Sequence, residues 1–326
     1  MNVNIIGSGT WGITFANILI KKKINVTVLH RNSSRSKKLV KTNFHPYLPS
    51  SLISSRINYT DKFTDLNLKD ITVLAIPINN IYDFILKHDL SSTKLLLLSK
   101  GIESSKKMLI SDMLISEFHY NINNIAILSG PNHAEEVIKE NPTASIVASS
   151  NKSFRKLLQE KVSSSSFRLY TSDDIIGVQI GGAIKNVIAI ASGMCEGLGL
   201  GDNAQATLVT RGLHEISELA KIYKFNLNTL YGLSGLGDLA CTCYSKFSRN
   251  KKIGLLLAQN IDIQTSKKKI GMISEGVFTS KVLYDIIKKN KLNMPICIEV
   301  YKIIYKNVNI RQSIIGLMHR TLKDEK

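Results

Sequence analysis

The sequence predicts an α/β protein, an N-terminal Rossmann-type doubly wound sheet followed by an all-α C-terminal domain. Three observations carry this reading. The first half alternates short β-branched or Leu-rich runs with amphipathic helical stretches, the pattern of parallel strands buried on both faces. A glycine-rich turn follows the first of those runs. Past about residue 174 the runs stop and long helical periodicity takes over.

The elements follow in order. "VNIIG" is the first strand, and Gly7, Gly9 and Gly12 in "IIGSGTWG" give a G-x-G-x-x-G spacing between strand and helix. In that context Gly7 allows the tight turn, Gly9 leaves room for a pyrophosphate, and Gly12 lets the helix pack close to the strand. The first turn of the helix then offers free N–H groups and a positive dipole end to the phosphates. "WGITFANILIKKK" is that helix, and "NVTVLH" is the second strand. "ITVLAIPI", "KLLLLSKG", "NIAILSGP" and "ASIVAS" read as further strands, with "IYDFILKHD" a helix between the first two of them. "VSSSSF", Val162 to Phe167, reads as a surface loop, and the alternation ends after "FRLYTSDD". Helical periodicity then covers Ile175 to Met194, Asn203 to Tyr223, Ile253 to Ala258, Val277 to Asn290 and Ile296 to Tyr305. The expected division is a dinucleotide-binding domain over 1–172 and a helical substrate domain over 173–326.

Composition bounds the function. The chain has 326 residues, 44% of them apolar, enough for two domains with substantial cores. The formal net charge is +18, but only nine of the 43 basic residues are Arg, and the lysines are scattered. A solvated basic surface is expected rather than a nucleic-acid footprint, and the charge would attract anionic substrates. No uninterrupted apolar run reaches bilayer length, so no membrane insertion is expected. The start of the chain carries no secretory pattern, which leads to a cytoplasmic expectation. Of the four cysteines only Cys241 and Cys243 are close, so reduced thiols and no metal site are expected.

The second strand ends in "VLHRNSSR", with no acid before Asp61 to hold the ribose hydroxyls of NAD. Arg31 stands there instead and offers a cation to a 2′-phosphate. NADP(H) is therefore expected to be preferred or well accepted, with NAD(H) the alternative. At the carboxyl edge of the sheet, "LLLLSKG" brings Lys100, and "AILSGPNHAEE" brings Gly130, Pro131 and Asn132. Each has a plain reading as a strand terminus or a turn. The apolar stretch "GVQIGGAIKNVIAIASG" holds one lysine, Lys185, among glycines at 177, 181, 182 and 193. Either a ligand meets that ammonium along a bare strip of helix, or the glycines pack the helix tightly and a carboxylate caps the lysine.

The ordered set "GSGTWG", "HPYLP", "LSKG", "GPNHAEEV", "GAIKNVIAIASG", "GLGDNAQA", "GLSGLGDLACTC", "SRNKKIG" and "SEG" resembles the NAD(P)-dependent glycerol-3-phosphate dehydrogenases of the bacterial type. The resemblance implies reduction of dihydroxyacetone phosphate to sn-glycerol 3-phosphate, the glycerophospholipid backbone. It implies that Lys185 is the proton carrier and that Lys100 touches both cofactor and substrate. Gly130, Asn132, Asp238, Ser248, Arg249 and Asn250 match substrate positions. Thr10, Trp11, Arg31, Ala134, Ile273 and Glu275 match cofactor positions, and Arg249 lies near the cofactor as well. Asn132 departs from the Ser or Thr common in the family, which implies a retained role with altered geometry. Homodimer formation is left open.

Those residues suit the chemistry. Reducing a ketone puts negative charge on its oxygen, and an ammonium beside it lowers the barrier. Ser248 is a plausible N-cap, and Arg249 offers a fork to phosphate oxygens. Asp238 cannot hold a phosphate, since both are anionic, but it can accept from a substrate hydroxyl or pair with Lys185. His214 and His133 are read as packing residues, and Trp11 as packing over the cofactor or the helix start. The alternatives are another dehydrogenase of this architecture, of the ketopantoate or 6-phosphogluconate type, and a nucleotide-sensing or nucleic-acid module with a dead site.

Overall fold

The computed structural model describes residues 1–31, 39, 41–48, 51–322 and 324–325. One sheet runs β3-β2-β1-β4-β5-β6-β7-β8. Its strands are β1 (Asn2–Ile6), β2 (Asn25–Leu29), β3 (Asn58–Thr60), β4 (Ile71–Leu74), β5 (Lys94–Leu97), β6 (Ile125–Ser129), β7 (Thr143–Ala148) and β8 (Phe167–Ser172). The pairs from β3 across to β6 are all parallel. Strands β4 and β6 are buried along their whole length, and β1 and β5 everywhere but their first residue, which is why they read as continuous apolar runs.

The structure differs from the sequence reading in the direction of one strand and in two added strands, and the "VSSSSF" loop is confined to its serines, since Val162 ends a helix and Phe167 opens β8. β7, the "ASIVAS" run, pairs antiparallel to β6, and β8 pairs parallel to β7. The link from β6 to β7 contains only the four-residue helix Ala134–Val137. Such a helix spans roughly 6 Å, too little to carry the chain back along a strand, so the chain turns round instead. The short strand β3 and the wet edge strand β8 were not anticipated. β8 buries only Phe167 and Leu169.

The helices are α1 (Thr10–Lys21), α2 (Ile81–Lys87), α3 (Ile110–Phe118), α4 (Ala134–Val137), α5 (Lys152–Val162), α6 (Ile175–Gly197), α7 (Asp202–Glu218), α8 (Asp238–Tyr244), α9 (Arg249–Ala258), α10 (Ile263–Ile270), α11 (Glu275–Asn290), α12 (Pro295–Lys306) and α13 (Ile310–Met318). Residues of α1 and α5 share a core with one side of the sheet, and those of α2 and α3 share one with the other. A third core surrounds α6. Helix α6 is long and apolar enough to cross a membrane, with mean hydropathy 1.6 over its best window, of which 89% is buried inside the protein. This corrects the expectation that no segment reaches that length. Lys185 and the flanking polar residues break the apolar run in sequence, but the helix continues through them. It serves as the central strut of the helical half.

The glycines of α6 explain how its neighbours come so close. A Cβ on Gly193 would stand 2.0 Å from the Lys251 carbonyl oxygen of α9, and one on Gly181 would stand 2.4 Å from that of Ser234. At these two positions the strip is filled by backbone and the tight-packing reading holds, whereas a Cβ on Gly182 would meet the Ser129 hydroxyl at 2.8 Å and the Lys100 side chain at 3.6 Å.

Candidate active site

A cleft of about 980 Å³ opens along the carboxyl edge of β1, β2, β4 and β5 and continues between the sheet and the helical half. The glycine turn forms one end. Gly7 has φ +112°, and a Cβ there would meet the Ala75 carbonyl at 2.6 Å. A Cβ on Gly12 would meet the Gly7 carbonyl at 2.1 Å, whereas one on Gly9 would meet nothing within 4 Å. The turn is therefore tight where it touches protein and open where a ligand would lie, above the free N–H groups at the start of α1. A dinucleotide fits this cradle. Thr10 and Trp11 start the helix and line the cleft. The Trp11 ring lies 6.3 Å from Phe15 and from Phe167, so it packs on its own helix and on β8. Residues 45–48 cross over this end, with the His45 ring 3.2 Å from the Ser8 carbonyl and the Tyr47 hydroxyl donating to Gly271 O at 3.2 Å.

Arg31 is exposed at the end of β2 and lines the cleft beside His30. Asp61 lines it as well. The sequence reading set Asp61 aside as too distant, because it missed β3. Thr60 pairs with Leu29 across adjacent parallel strands, which delivers Asp61 to the same edge.

The other end holds a cluster of buried charge. Lys100 follows β5 and donates to Asp238 Oδ2 at 2.8 Å, Gly130 O at 3.0 Å and Asn132 Oδ1 at 3.1 Å. Asn132 in turn donates to Ser145 Oγ at 3.1 Å, so here the Asn links Lys100 to β7. Lys185 of α6 donates to Asp238 Oδ1 at 2.5 Å and to Thr242 Oγ1 at 2.7 Å. The Thr242 hydroxyl donates back to Asp238 O at 2.6 Å. An ammonium has three N–H donors. Those of Lys100 are all committed, while Lys185 has one left over among the described residues. Burial drives the Lys100 pKa down to about 8, and the Lys185 charge adds to this against the pull of Asp238. Burial pushes the Asp238 carboxyl up, but the charges of Lys100 and Lys185 outweigh it and hold it below the usual carboxylate range.

The remaining named positions lie around this cluster. Ser248 caps α9, its Oγ accepting from Lys251 N at 3.2 Å. The Arg249 guanidinium is open to the cleft and donates to Ile273 O at 3.0 Å. Asn250 spends one N–H on Asn186 Oδ1 at 2.9 Å and its oxygen on Gly276 N at 3.0 Å, which leaves one donor. Ala134 is buried at the start of α4 and lines the cleft. Glu275 accepts from Ile78 N at 3.2 Å through Oε1, and its Oε2 is buried without a partner among the described residues. Burial raises its pKa to about 7 against the Ile78 N–H and Arg249. Thr242 and Asn186 were missed in the sequence. Thr242 lies one turn after Asp238 and Asn186 directly follows Lys185, and the i, i+4 spacing would have revealed the first. Among the described residues no three His, Cys, Asp or Glu side chains stand in position to hold a metal ion.

A phosphate-binding glycine turn on a doubly wound sheet, with a lysine at the sheet's edge and a second on the facing helical half joined through one buried carboxylate, defines a dinucleotide-dependent oxidoreductase. Residues 2–155 match the model of the NAD-dependent glycerol-3-phosphate dehydrogenase N-terminus, and residues 174–315 match that of the C-terminus. A glycerol-3-phosphate dehydrogenase [NAD(P)+] from Thermotoga sp. (strain RQ2) is 38% identical over 100% of this chain and 99% of its own. One from Fusobacterium nucleatum is 37% identical over 100% and 98%. The crystal structure of the Coxiella burnetii glycerol-3-phosphate dehydrogenase superposes with a TM-score of 0.91 at 29% identity, over 98% of this chain and 99% of that one. The chain belongs to the NAD(P)-dependent glycerol-3-phosphate dehydrogenase family.

Proposed function

We propose that this enzyme reduces dihydroxyacetone phosphate to sn-glycerol 3-phosphate, reversibly, with Lys185 as the proton donor. The observation that carries the assignment is the uncommitted N–H of Lys185, held beside the cleft by Asp238 and Thr242. The turn of Gly7, Gly9 and Gly12 would hold a nicotinamide cofactor, which would supply the hydride for the carbonyl carbon. Lys185 gives its spare proton to the carbonyl oxygen and recovers one from solvent, and Asp238 keeps the ammonium in place. Lys100, with every donor spent, fixes Asp238 and Asn132 rather than giving up a proton. The first turn of α9, with Arg249, is the phosphate end, where N–H groups and a guanidinium face the cleft.

Arg31 beside the ribose end supports use of NADP(H), while Asp61 at the same edge supports acceptance of NAD(H). The working division is 1–172 for the cofactor and 173–326 for the substrate. The enzyme is proposed to act in the cytoplasm, on a small molecule and not on nucleic acid, with homodimer formation compatible. The test is NADPH oxidation with dihydroxyacetone phosphate and, in parallel, with ketopantoate. Turnover of the first alone supports the assignment, and preference for the second overturns it. The ratio of catalytic efficiencies with NADPH and NADH decides the cofactor.

A further inference from the structure

His133 lines the cleft beside the charged cluster, and the family reading gives it no part. It precedes α4, between Asn132, which Lys100 holds, and Ala134. Its ring lies 6.3 Å from that of Phe247, in the segment that leads into the start of α9. The charges that act on it are Lys185, Asp238 and Lys100. It therefore sits between the reacting end of the cleft and the phosphate end.

The state of the ring follows from its surroundings. Burial, reinforced by Lys185, pushes its pKa down to about 4, so the imidazole is neutral. A neutral ring has one N–H and one lone pair. The Cys241 backbone favours the ring's protonated form, the effect of a carbonyl that faces a ring N–H. Nε2 is buried and has no partner among the described residues, so the N–H that faces this carbonyl is on Nδ1 and Nε2 carries the lone pair. A buried acceptor without a donor is costly, and the neighbouring ammonium groups do not reach it. A ligand that brings an O–H there satisfies it.

We infer that His133 is a substrate-contacting specificity residue, whose Nε2 accepts the hydrogen bond of the free hydroxyl of the three-carbon ketone. This rests on the proposed substrate. Phosphate and carbonyl oxygens have no proton to offer at neutral pH, so among the substrate's groups only the hydroxyl fits. The cofactor's ribose hydroxyls share that chemistry, but Lys185, Asp238 and Lys100 around His133 favour the substrate.

The test compares dihydroxyacetone phosphate with its deoxy analogue, which has a methyl in place of the CH₂OH, in the wild-type enzyme and in His133→Phe and His133→Gln. The wild type should favour the hydroxylated substrate in kcat/KM. His133→Phe should shrink that preference by about tenfold or more, because a site built to bond a hydroxyl discriminates strongly against its loss. His133→Gln, which can offer an acceptor, should restore part of it. The dissociation constant for NADPH, read by fluorescence, should be unchanged in both, which also shows that the variants are folded. An unchanged preference in a folded His133→Phe enzyme overturns the inference, and if NADPH affinity alone falls, the contact belongs to the cofactor. A wild-type enzyme inactive on dihydroxyacetone phosphate would instead reject the substrate assignment itself.

Discussion

Asp238 Oδ1 lies 2.5 Å from Lys185 Nζ, and the two residues are 2% and 6% exposed. They meet across the packing of α8 on α6. A buried carboxylate normally resists ionisation, but this one serves two ammonium groups at once, and the cluster carries one net positive charge at the mouth of the cleft. Such a site favours an anionic substrate and keeps a proton beside its carbonyl.

Replacing Lys185 with Met should lower kcat by about 10²–10⁴-fold, the usual value of a positioned acid. Asp238 keeps Lys100 as its partner, so the buried carboxylate is not stranded and the fold should hold. Stopped-flow titration with NADPH should show unchanged cofactor affinity. Near-normal turnover in this variant would remove Lys185 from the proton path.

The pH profile should report Lys100. With its pKa at about 8, the free enzyme loses this cation as pH rises through that value, and Asp238 and Asn132 lose the group that orients them. The kcat/KM for dihydroxyacetone phosphate should therefore fall on the alkaline side of pH 8, since this parameter reports the free enzyme. A bound dianion favours the ammonium form, so the fall in kcat should come at higher pH. A kcat/KM profile flat for a full unit beyond pH 8 would contradict the assignment.

Arg249→Ala should raise KM for dihydroxyacetone phosphate about tenfold or more and change kcat much less. Its guanidinium is open to the cleft, with one N–H on Ile273 O and the rest of the fork available. Charge-assisted bonds to phosphate are made in ground and transition states alike, so their loss falls on KM. Steady-state kinetics decides it, and an unchanged KM would place the phosphate elsewhere.

What could be read in the sequence depended on whether the physics was local. The glycine turn, the strands β1, β2, β4, β5 and β6 and the Ser248 cap each leave a signature within a few residues, and each stands where it is expected. β3 failed because three residues carry no periodicity, and Asp61 was dismissed with it. The glycines around Lys185 were ambiguous because the same small residues serve a ligand groove or a close backbone contact. Only the positions of Ser234 and Lys251, far along the chain, decide that. Lys100, Lys185 and Asp238 are each visible as candidates, but the sharing of Asp238 by the two lysines is not, since nothing in the spacing of residues 100, 185 and 238 implies convergence.

The helical half contains a titrating support of its own, in Glu215. This side chain is 3% exposed and belongs to α7, yet it accepts from Ile296 N at 2.6 Å and from Cys297 N at 3.0 Å, capping the start of α12. Burial pushes its pKa from 4.5 to about 7, against the pull of those two N–H groups. The folded state therefore holds a proton between these values that the unfolded chain releases. The resulting stabilisation is full below about pH 4.5 and is lost as pH rises through about 7, on the order of 3 kcal/mol in all. Glu215→Gln cannot titrate, and it places an amide donor against one backbone N–H, so it should be less stable at acid pH. Its deficit in Tm relative to wild type should shrink as the pH is raised from about 5 to about 8. The difference between the two proteins cancels every other titrating group, so thermal melts across that range isolate this one. A deficit that stays constant would mean that Glu215 does not change protonation in the window, and one that widens would mean that the ionised cap is the stronger one.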